Sequence, residues 1–293
     1  MRIGIAGLGR MGAAIAERLQ ETGHTIVVWN RSTEKTKPFA EKGVEVAGSP
    51  AELAGKVEAI VTILTDAAAI ETVYRDPNGL LSADLNGKLL IEMSTVQPET
   101  EIALSEAVRT KGAAYVECPV GGTVGPARTG KLIGLVGGEA SDVARARPVL
   151  EQLCRRIEHV GPVGAGASMK LAINLPLLVF YQALGEAITL CRHLGHDPVW
   201  LMEFFSDTSG GANVLKVRGP AIAEALAGGN PAPAFDIASI RKDLRTMIAE
   251  AKTRGASLPL AERTLAVYDE AASAGWDARD GAALPSFWPD RAA

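Results

Sequence analysis

The chain has 293 residues, of which 47% are hydrophobic and 22% are charged, a composition typical of globular proteins and a length that suits two domains. The formal net charge is −4 and basic residues form no stripe, which argues against nucleic acid as a partner. The three cysteines and four histidines are scattered, without the spacing of a disulfide framework or a metal site. We therefore expect reduced cysteines and no bound metal.

No segment has the pattern of a targeting peptide or a membrane anchor. The apolar residues from Arg2 to Ala6 lead directly into glycines, which is typical of a buried strand and not of a signal sequence. The most apolar stretch, Leu171–Cys191, is interrupted by Asn174 and Glu186, which favours a buried helix between domains over a membrane span. The sequence therefore predicts a cytoplasmic protein that does not enter a membrane.

Short apolar runs alternate with amphipathic stretches in the first part of the chain. Six of these runs predict strands: Ile3–Ala6, Thr25–Trp29, Ala59–Leu64, Leu89–Glu92, Ala114–Glu117 and Leu132–Val136. Helical patterns lie between several of them, such as Gly12–Glu21 and Pro98–Lys111. This alternation predicts an α/β domain of the Rossmann type over residues 1–162, with a parallel, doubly wound sheet that binds ligands beyond the carboxyl ends of its strands.

The pattern becomes helical after a glycine-rich segment, Gly161–Gly166. A long apolar interdomain helix follows and ends near Leu194, before Gly195. Further helical patterns cover Val199–Phe205, Ile237–Thr253 and Leu260–Ala274. We expect an all-helical domain over residues 163–293, a kink or break of the long helix at Pro176, and an irregular tail over Pro285–Ala293.

The first predicted strand ends in a glycine fingerprint, Gly7-Leu8-Gly9-Arg10-Met11-Gly12. A GxGxxG motif alone is a weak signal, but here it follows a strand and opens a helix. In that context Gly7 permits a tight turn, Gly9 lets a pyrophosphate approach the backbone, and Gly12 lets the helix pack on the sheet. The helix N-terminus offers N–H groups to the phosphates, so these six residues are predicted to bind a dinucleotide.

The end of the second strand indicates which dinucleotide. NAD-binding domains place an acidic residue there to bind the ribose 2′-hydroxyl, whereas this strand is followed by Asn30, Arg31 and Ser32. An arginine attracts a 2′-phosphate and the two polar neighbours can donate hydrogen bonds to it. The sequence therefore favours NADP or NADPH, while the nearby Glu34 keeps NAD as the alternative.

Three further segments complete a family pattern. They are Glu92-Met93-Ser94-Thr95-Val96, Glu117-Cys118-Pro119-Val120-Gly121-Gly122-Thr123, and the glycine-rich segment that continues through Lys170 to Asn174. With the glycine fingerprint and Arg241-Lys242-Asp243-Leu244, they resemble the β-hydroxyacid dehydrogenase family, which includes 3-hydroxyisobutyrate dehydrogenase and glyoxylate/succinic semialdehyde reductase. The resemblance covers nearly the whole chain. The combination is specific, because four motifs occur in the order that the family has.

Lys170 and Asn174 are four residues apart and share one face of a largely apolar helix. Two polar side chains on the inner face of such a helix are costly unless they are paired or used, although a lysine can also extend to water. The resemblance implies that Lys170 is the general acid/base and that Asn174 orients it or the substrate. It also implies that Lys242 contacts the nicotinamide cofactor.

The resemblance assigns substrate binding to the segment around Gly121. The N–H groups of Gly121 and Gly122 would bind a substrate carboxylate, although glycines here also suit a tight turn. Family members commonly have serine at the position of Gly121, so this chain lacks a hydroxyl donor that Thr123 is able to replace. The loss gives space for a differently shaped anion, such as a sulfonate.

Weaker assignments concern residues that follow two strands. Thr95 matches a family position near the cofactor, the preceding Ser94 is assigned to substrate, and Leu64 and Thr65 match a segment that passes the adenosine side. Serine and threonine at such places are often only helix caps.

Together these observations predict an NADP-dependent oxidoreductase that interconverts a small aldehyde acid and its hydroxy acid. As in the family, a homodimer or homotetramer is expected. One alternative is an imine reductase, which usually has aspartate or tyrosine where this chain has Lys170. The other is a non-catalytic NADP-binding module, against which the pair Lys170 and Asn174 argues.

Overall fold

The computed structural model describes residues 1–291 and divides the chain into two compact units, Met1–Leu171 and a unit that starts at Ala172. The boundary lies inside a long helix and not in the glycine-rich segment where the sequence pattern changes. The expected domains, 1–162 and 163–293, place the division at the beginning of that helix instead.

The first unit contains one sheet. Within residues 1–291 its nine strands are β1 Arg2–Ala6, β2 Thr25–Trp29, β3 Glu45–Val46, β4 Ala59–Thr62, β5 Leu89–Glu92, β6 Ala114–Glu117, β7 Val120–Gly121, β8 Leu132–Gly138 and β9 Cys154–Gly161. Their order is β3-β2-β1-β4-β5-β6-β8-β7, and β9 pairs with β8. All pairs from β3 to β6 are parallel, which confirms the predicted Rossmann-type fold.

The helices of the first unit cover both faces of this sheet. They are α1 Arg10–Glu21, α2 Lys37–Ala40, α3 Pro50–Gly55, α4 Ala67–Arg75, α5 Pro98–Thr110, α6 Val124–Arg128 and α7 Ala140–Leu153. Neighbouring residues of one strand belong to different apolar clusters, as Leu89 and Ile91 do on one face and Leu90 on the other. A strand buried on both faces reads as a continuous apolar run, and for this reason β5 was predictable from sequence.

The sheet departs from the prediction at one end. The strand β8 runs antiparallel to β6 and β7, because the connection Cys118–Lys131 holds only a two-residue strand and a short helix and is no βαβ crossover. Three strands were not predicted. The strands β3 and β7 have two residues each, and β9, with the sequence CRRIEHVG, is polar and only partly buried.

The helix α8, Ala165–Cys191, runs from the first unit into the second. It passes through Pro176 without interruption, so the predicted break is wrong, and a kink stays a prediction. Pro176 cannot bond to the carbonyl of Ala172, but both residues are exposed, and water can hydrate that carbonyl. A short 3₁₀ turn follows, and Gly195 ends it with a φ of 70°, as expected.

Helices also form the second unit. They are α9 Pro198–Ser206, α10 Leu215–Leu226, α11 Ile237–Thr253, α12 Pro259–Ala271 and α13 Leu284–Arg291. An isolated bridge joins Asp236 and Asp280. The prediction of an irregular tail is wrong for residues 285–291, since Pro285 lies in the first turn of α13, where its missing N–H costs nothing. Residues 292 and 293 lie outside the described part of the chain.

One helix among the described residues, Ala165–Leu194, is long and apolar enough to cross a membrane by length and composition. Within its most apolar window, 44% is buried inside the protein. Length and composition do not separate a membrane span from the core helix of a soluble protein.

Candidate active site

The three glycines of the fingerprint serve three different purposes in the loop between β1 and α1. Gly7 turns the chain at a φ of +101°, and a Cβ there would lie 2.4 Å from the carbonyl oxygen of Ile63. A Cβ on Gly12 would lie 1.9 Å from the carbonyl oxygen of Gly7, so the helix packs against the loop only without one. A Cβ on Gly9 would meet nothing within 4 Å, and the backbone there is open to an external group.

The helix α1 begins at this open loop. Gly9 is its N-cap, no side chain caps the helix, and the first turn has no acidic residue. The first N–H groups of a helix lack partners within the helix and carry partial positive charge. Arg10 and Met11, which open the helix, are exposed and half-buried. This geometry fits the pyrophosphate of a dinucleotide, which needs close approach and N–H donors.

Asn30 joins this loop to the end of β2. Its Oδ1 accepts a hydrogen bond from the N–H of Leu8 at 2.8 Å, and its Nδ2 donates to the carbonyl oxygen of Ser32 at 2.9 Å. The amide therefore holds the two loops together, and its contact with the cofactor stays a prediction. Arg31 and Ser32 are exposed beside it. In the part of the chain that the structure describes, Arg31 has no acidic partner.

A buried polar network closes the ends of β4 and β5. The Oγ of Ser94 accepts from the N–H of Leu64 at 2.7 Å, and the N–H of Ser94 donates to Glu92 Oε1 at 2.7 Å. Thr62 and Tyr74 donate to the other oxygen of Glu92, whose pKa is raised by burial. Ser94 is only 2% exposed, and these contacts give it a supporting role, while its contact with substrate stays a prediction.

The ends of β1 and β4 lie side by side, with Ala6 paired to Thr62. The strands β2 and β3 lie on one side of β1, and β4 lies on the other side, so the strand order reverses between β1 and β4. Ligands of doubly wound sheets bind at such a reversal. Thr65, which follows β4, is exposed here, and Thr95, which follows β5, is half-buried. The predicted cofactor residues of the first unit thus gather at the edge where the fold places a dinucleotide.

The predicted substrate segment turns between β7 and α6. Gly121 pairs with Ile133 of β8, and Gly122 follows with a φ of +124°, where a side chain would be strained. A Cβ on Gly122 would also lie 2.8 Å from Leu132. Thr123 comes directly before α6, and its side chain caps nothing there. Position 122 therefore requires glycine for steric reasons. Gly121 has no positive φ, so its backbone conformation sets no such requirement.

Lys170 and Asn174 are four positions apart on α8, about one helical turn. Their exposed fractions are 8% and 7%. A lysine that extended to bulk water would be far more exposed, so Lys170 is held within the protein. A primary amine and an amide on one face of a helix suit proton transfer and hydrogen bonding to a substrate oxygen.

In the second unit, Asp243 holds two of the predicted residues. Its Oδ2 accepts from Asn174 Nδ2 at 3.1 Å, and its Oδ1 lies 2.5 Å from Lys242 Nζ. Asp243 is 3% exposed, and this burial strengthens both contacts. It therefore fixes the orientation of the Asn174 amide and the position of the Lys242 ammonium. Sequence reasoning passed over Asp243, although it stands next to Lys242 in the family motif.

Glu117, at the end of β6, is the second residue that sequence reasoning passed over. Its carboxylate accepts three backbone N–H groups, from Gly164 at 2.6 Å, Gly166 at 2.8 Å and Ala167 at 3.2 Å. The pKa of Glu117 is raised to about 7 by burial and, to a smaller extent, by nearby Glu92, against the opposing effect of these N–H groups. Its partners are 47 to 50 residues away, so no local pattern links them.

Two family models match the chain, one on each side of the glycine-rich segment. The NAD-binding domain of 6-phosphogluconate dehydrogenase matches residues 2–161. The model described as the NAD-binding domain of NADP-dependent 3-hydroxyisobutyrate dehydrogenase matches residues 164–288.

Similar proteins cover nearly the whole chain. The 3-hydroxyisobutyrate dehydrogenase of Pseudomonas aeruginosa is 35% identical over 261 residues, covering 88% of each chain. Glyoxylate/succinic semialdehyde reductase 1 of Arabidopsis thaliana is 32% identical over 275 residues, covering 94% of each. The solved structure of Psf3 in complex with NADP+ and 2-OPP has a TM-score of 0.86 at 27% identity, covering 97% of this chain and 99% of that one.

The two alternatives fit these comparisons less well. An imine reductase from Myxococcus stipitatus, in complex with NADP+, shares the fold at a lower TM-score of 0.64 and 22% identity, covering 98% and 99%. The relatives named as dehydrogenases and reductases argue against a non-catalytic module. The chain belongs to the β-hydroxyacid dehydrogenase family and is an NAD(P)-dependent oxidoreductase that acts on a CH–OH group.

Proposed function

We propose that this protein interconverts a small aldehyde acid and its hydroxy acid with NADP(H), and that Lys170 is the general acid/base. The observation that carries the proposal is the buried Lys170, one turn of α8 before Asn174, whose amide is fixed by Asp243. Burying an amine beside an oriented amide costs free energy unless the groups are paired or used. Proton transfer at a substrate oxygen gives both groups a use.

Lys170 carries the proton of the reaction. In the reductive direction its ammonium donates a proton to the carbonyl oxygen as that oxygen gains charge, and in the oxidative direction the neutral amine accepts the hydroxyl proton. Asn174 hydrogen-bonds to the same oxygen or to Lys170. The nicotinamide, when bound, supplies or accepts the hydride. A positioned general acid contributes about a hundredfold to ten-thousandfold to such a step.

The preference for NADP(H) rests on Arg31. This exposed side chain follows β2 at the place where NAD-binding domains have an acidic residue. Glu34, the nearest acid in the sequence, lies on the surface and pairs with Lys37 at 2.8 Å. The family model that matches residues 164–288 is described as NADP-dependent, and the Psf3 structure contains NADP+, which supports the same cofactor here.

The substrate is proposed to be a small anion. The backbone N–H groups of Gly121 and Gly122 are the proposed donors, because N–H groups in such turns bind carboxylates well. The names of the relatives, 3-hydroxyisobutyrate dehydrogenase and glyoxylate/succinic semialdehyde reductase, describe substrates of this class. Glycine at position 121 leaves room for an anionic group larger than a carboxylate, such as a sulfonate.

The test is NADPH oxidation at 340 nm with a panel of small aldehydes: glyoxylate, succinic semialdehyde, tartronate semialdehyde, methylmalonate semialdehyde and sulfolactaldehyde. The same panel is run with NADH, and with Gly121→Ser as the matched variant. We expect one aldehyde acid to react strongly with a preference for NADPH, and Gly121→Ser to shift the preference toward carboxylates. Equal activity with NADH would contradict the cofactor assignment, and silence across the panel would contradict the substrate class.

A further inference from the structure

The helix that carries Lys170 is hydrogen-bonded at its N-terminus to the carboxylate of Glu117. The three N–H groups that this carboxylate accepts belong to Gly164, directly before α8, and to Gly166 and Ala167 in its first turn. The first turn of α8 has no acidic residue of its own. A carboxylate from another part of the chain therefore performs the capping that an N-cap side chain usually performs.

The surroundings of Glu117 are shaped to hold this carboxylate. A Cβ on Gly137 would lie 2.1 Å from Glu117 Oε1, and a Cβ on Gly166 would lie 3.2 Å from its Cδ and 2.4 Å from the carbonyl oxygen of Leu135. Gly164 has a φ of +96°, which turns its N–H toward the carboxylate without strain. Glycines on two segments thus leave space for one buried carboxylate.

The cap lies one helical turn before the proposed acid/base. Gly166 and Lys170 are four residues apart, so they lie above one another on the same face of α8. The helix between them is continuous. A displacement of its first turn is therefore passed on to Lys170, and near the reacting atoms a misplacement of about 1 Å costs about a hundredfold in rate.

We propose that Glu117 is a positioning residue: its carboxylate anchors the first turn of α8 and thereby places Lys170 for proton transfer. The inference rests on the function proposed above for Lys170. It assigns the glycine-rich segment before α8 to the binding of this internal carboxylate, and it adds a residue on β6 to those needed for turnover.

The ionised form of Glu117 is the form that accepts all three N–H groups. Burial raises its pKa to about 7. The other ionisable groups around it are Glu92 on β5, Glu101 on α5, the adjacent Cys118 and, one turn along α8, Lys170. Protonation converts one carboxylate oxygen into a donor, so the anchor weakens as the pH falls through this range.

The experiment compares Glu117→Gln with Glu101→Gln in the full chain. Gln keeps the shape of the side chain but replaces one acceptor oxygen with an N–H₂ group. Glu101 is the matched control, because it is 1% exposed and carries a carboxyl group near Glu117, but it accepts a hydrogen bond from Tyr115 at 2.5 Å and not from the first turn of α8. Hydrogen exchange of the amides of residues 164–167 is measured alongside kcat and NADPH affinity.

For Glu117→Gln we expect these amides to exchange about tenfold faster and kcat to fall by about tenfold to a hundredfold, with NADPH affinity unchanged. Wild-type kcat should fall as the pH falls through about 7, because Glu117 is then protonated. This fall should be absent in Glu117→Gln and present in Glu101→Gln. Faster exchange with kcat unchanged would mean a purely structural cap and would overturn the proposal, as would wild-type values of both.

Two further arms keep the outcomes distinct. If Glu117→Gln does not fold, Glu117→Asp keeps the charge one methylene further back, and it should show intermediate exchange and intermediate kcat. Wild-type kcat in that variant would overturn the proposal. Lys170→Ala separates the two claims: if it retains turnover the proposed function fails, and if it is inactive while Glu117→Gln is fully active, only the role of Glu117 fails.

Discussion

Gly9→Ala should weaken cofactor binding without harming the fold. Gly9 has a φ of −66° and a ψ of −176°, which alanine adopts freely, and its Cβ would meet nothing within 4 Å. Replacing glycine at such a position raises the free energy of unfolding by about 0.4–1 kcal/mol, because the unfolded chain loses freedom. The new methyl group, however, occupies the space through which a pyrophosphate approaches the N-terminus of α1.

The magnitude follows from linkage between binding and unfolding. A tenfold rise in Kd for NADPH corresponds to about 1.4 kcal/mol. At a concentration of one hundred times the wild-type Kd, NADPH should stabilise the wild type by about 2.7 kcal/mol and Gly9→Ala by only about 1.4 kcal/mol. Urea unfolding with and without NADPH measures both values.

Gly12→Ala is the matched control for this measurement. Its Cβ would lie 1.9 Å from the carbonyl oxygen of Gly7, so the helix and the loop must separate. Such overpacking lowers the free energy of unfolding by about 1–3 kcal/mol even without cofactor. If Gly9→Ala is stabilised by NADPH as strongly as the wild type, the pyrophosphate does not pass Gly9, and the reasoning is refuted.

Three further predictions follow from the charged groups. Arg31→Ala should raise the Kd for NADPH at least about tenfold and leave the Kd for NADH unchanged. Fluorescence titration measures both constants, and equal effects on both would contradict a 2′-phosphate contact. Asp243→Ala removes the acceptor shared by Asn174 and Lys242 and should lower the free energy of unfolding by about 2–4 kcal/mol in urea; a loss below about 1 kcal/mol would contradict the contacts. Because the pKa of Glu117 is raised from 4.5 to about 7 in the folded state, the folded state binds more protons between these pH values. Wild-type stability should therefore fall by about 3 kcal/mol as the pH rises from 4.5 through 7, relative to Glu117→Gln; parallel pH profiles of the two proteins would contradict this.

Local patterns were sufficient for the parts of the molecule that depend on local physics. The strand β5 is buried on both faces, and the fingerprint glycines Gly7 and Gly12 are required by contacts within one loop and its neighbour. The polar strand β9, Cys154–Gly161, lies beside β8 at a position that only the completed sheet provides. Its sequence carries no apolar alternation from which a strand could be predicted.

The residues missed in the site were missed for the same reason. Glu117 and Gly164 are 47 positions apart, and Asn174 and Asp243 are 69 apart. Sequence motifs contain each of these residues, but the hydrogen bonds between them exist only in the folded chain. Motif reading therefore identified Lys170 and Asn174 as candidates for chemistry. The fold was needed to find Glu117, which binds the first turn of α8, and Asp243, which accepts from Asn174.

Single-turnover reduction of the preferred aldehyde acid by Lys170→Ala tests the central claim most directly. Enzyme with bound NADPH is mixed with substrate, and the decay at 340 nm is followed for wild type, Lys170→Ala and Lys170→Arg, after NADPH binding has been measured for each. The account predicts a rate at least about a hundredfold lower in Lys170→Ala, with NADPH affinity unchanged and no recovery in Lys170→Arg, whose guanidinium does not release its proton near neutral pH. A wild-type rate in Lys170→Ala would show that another group moves the proton and would contradict the account.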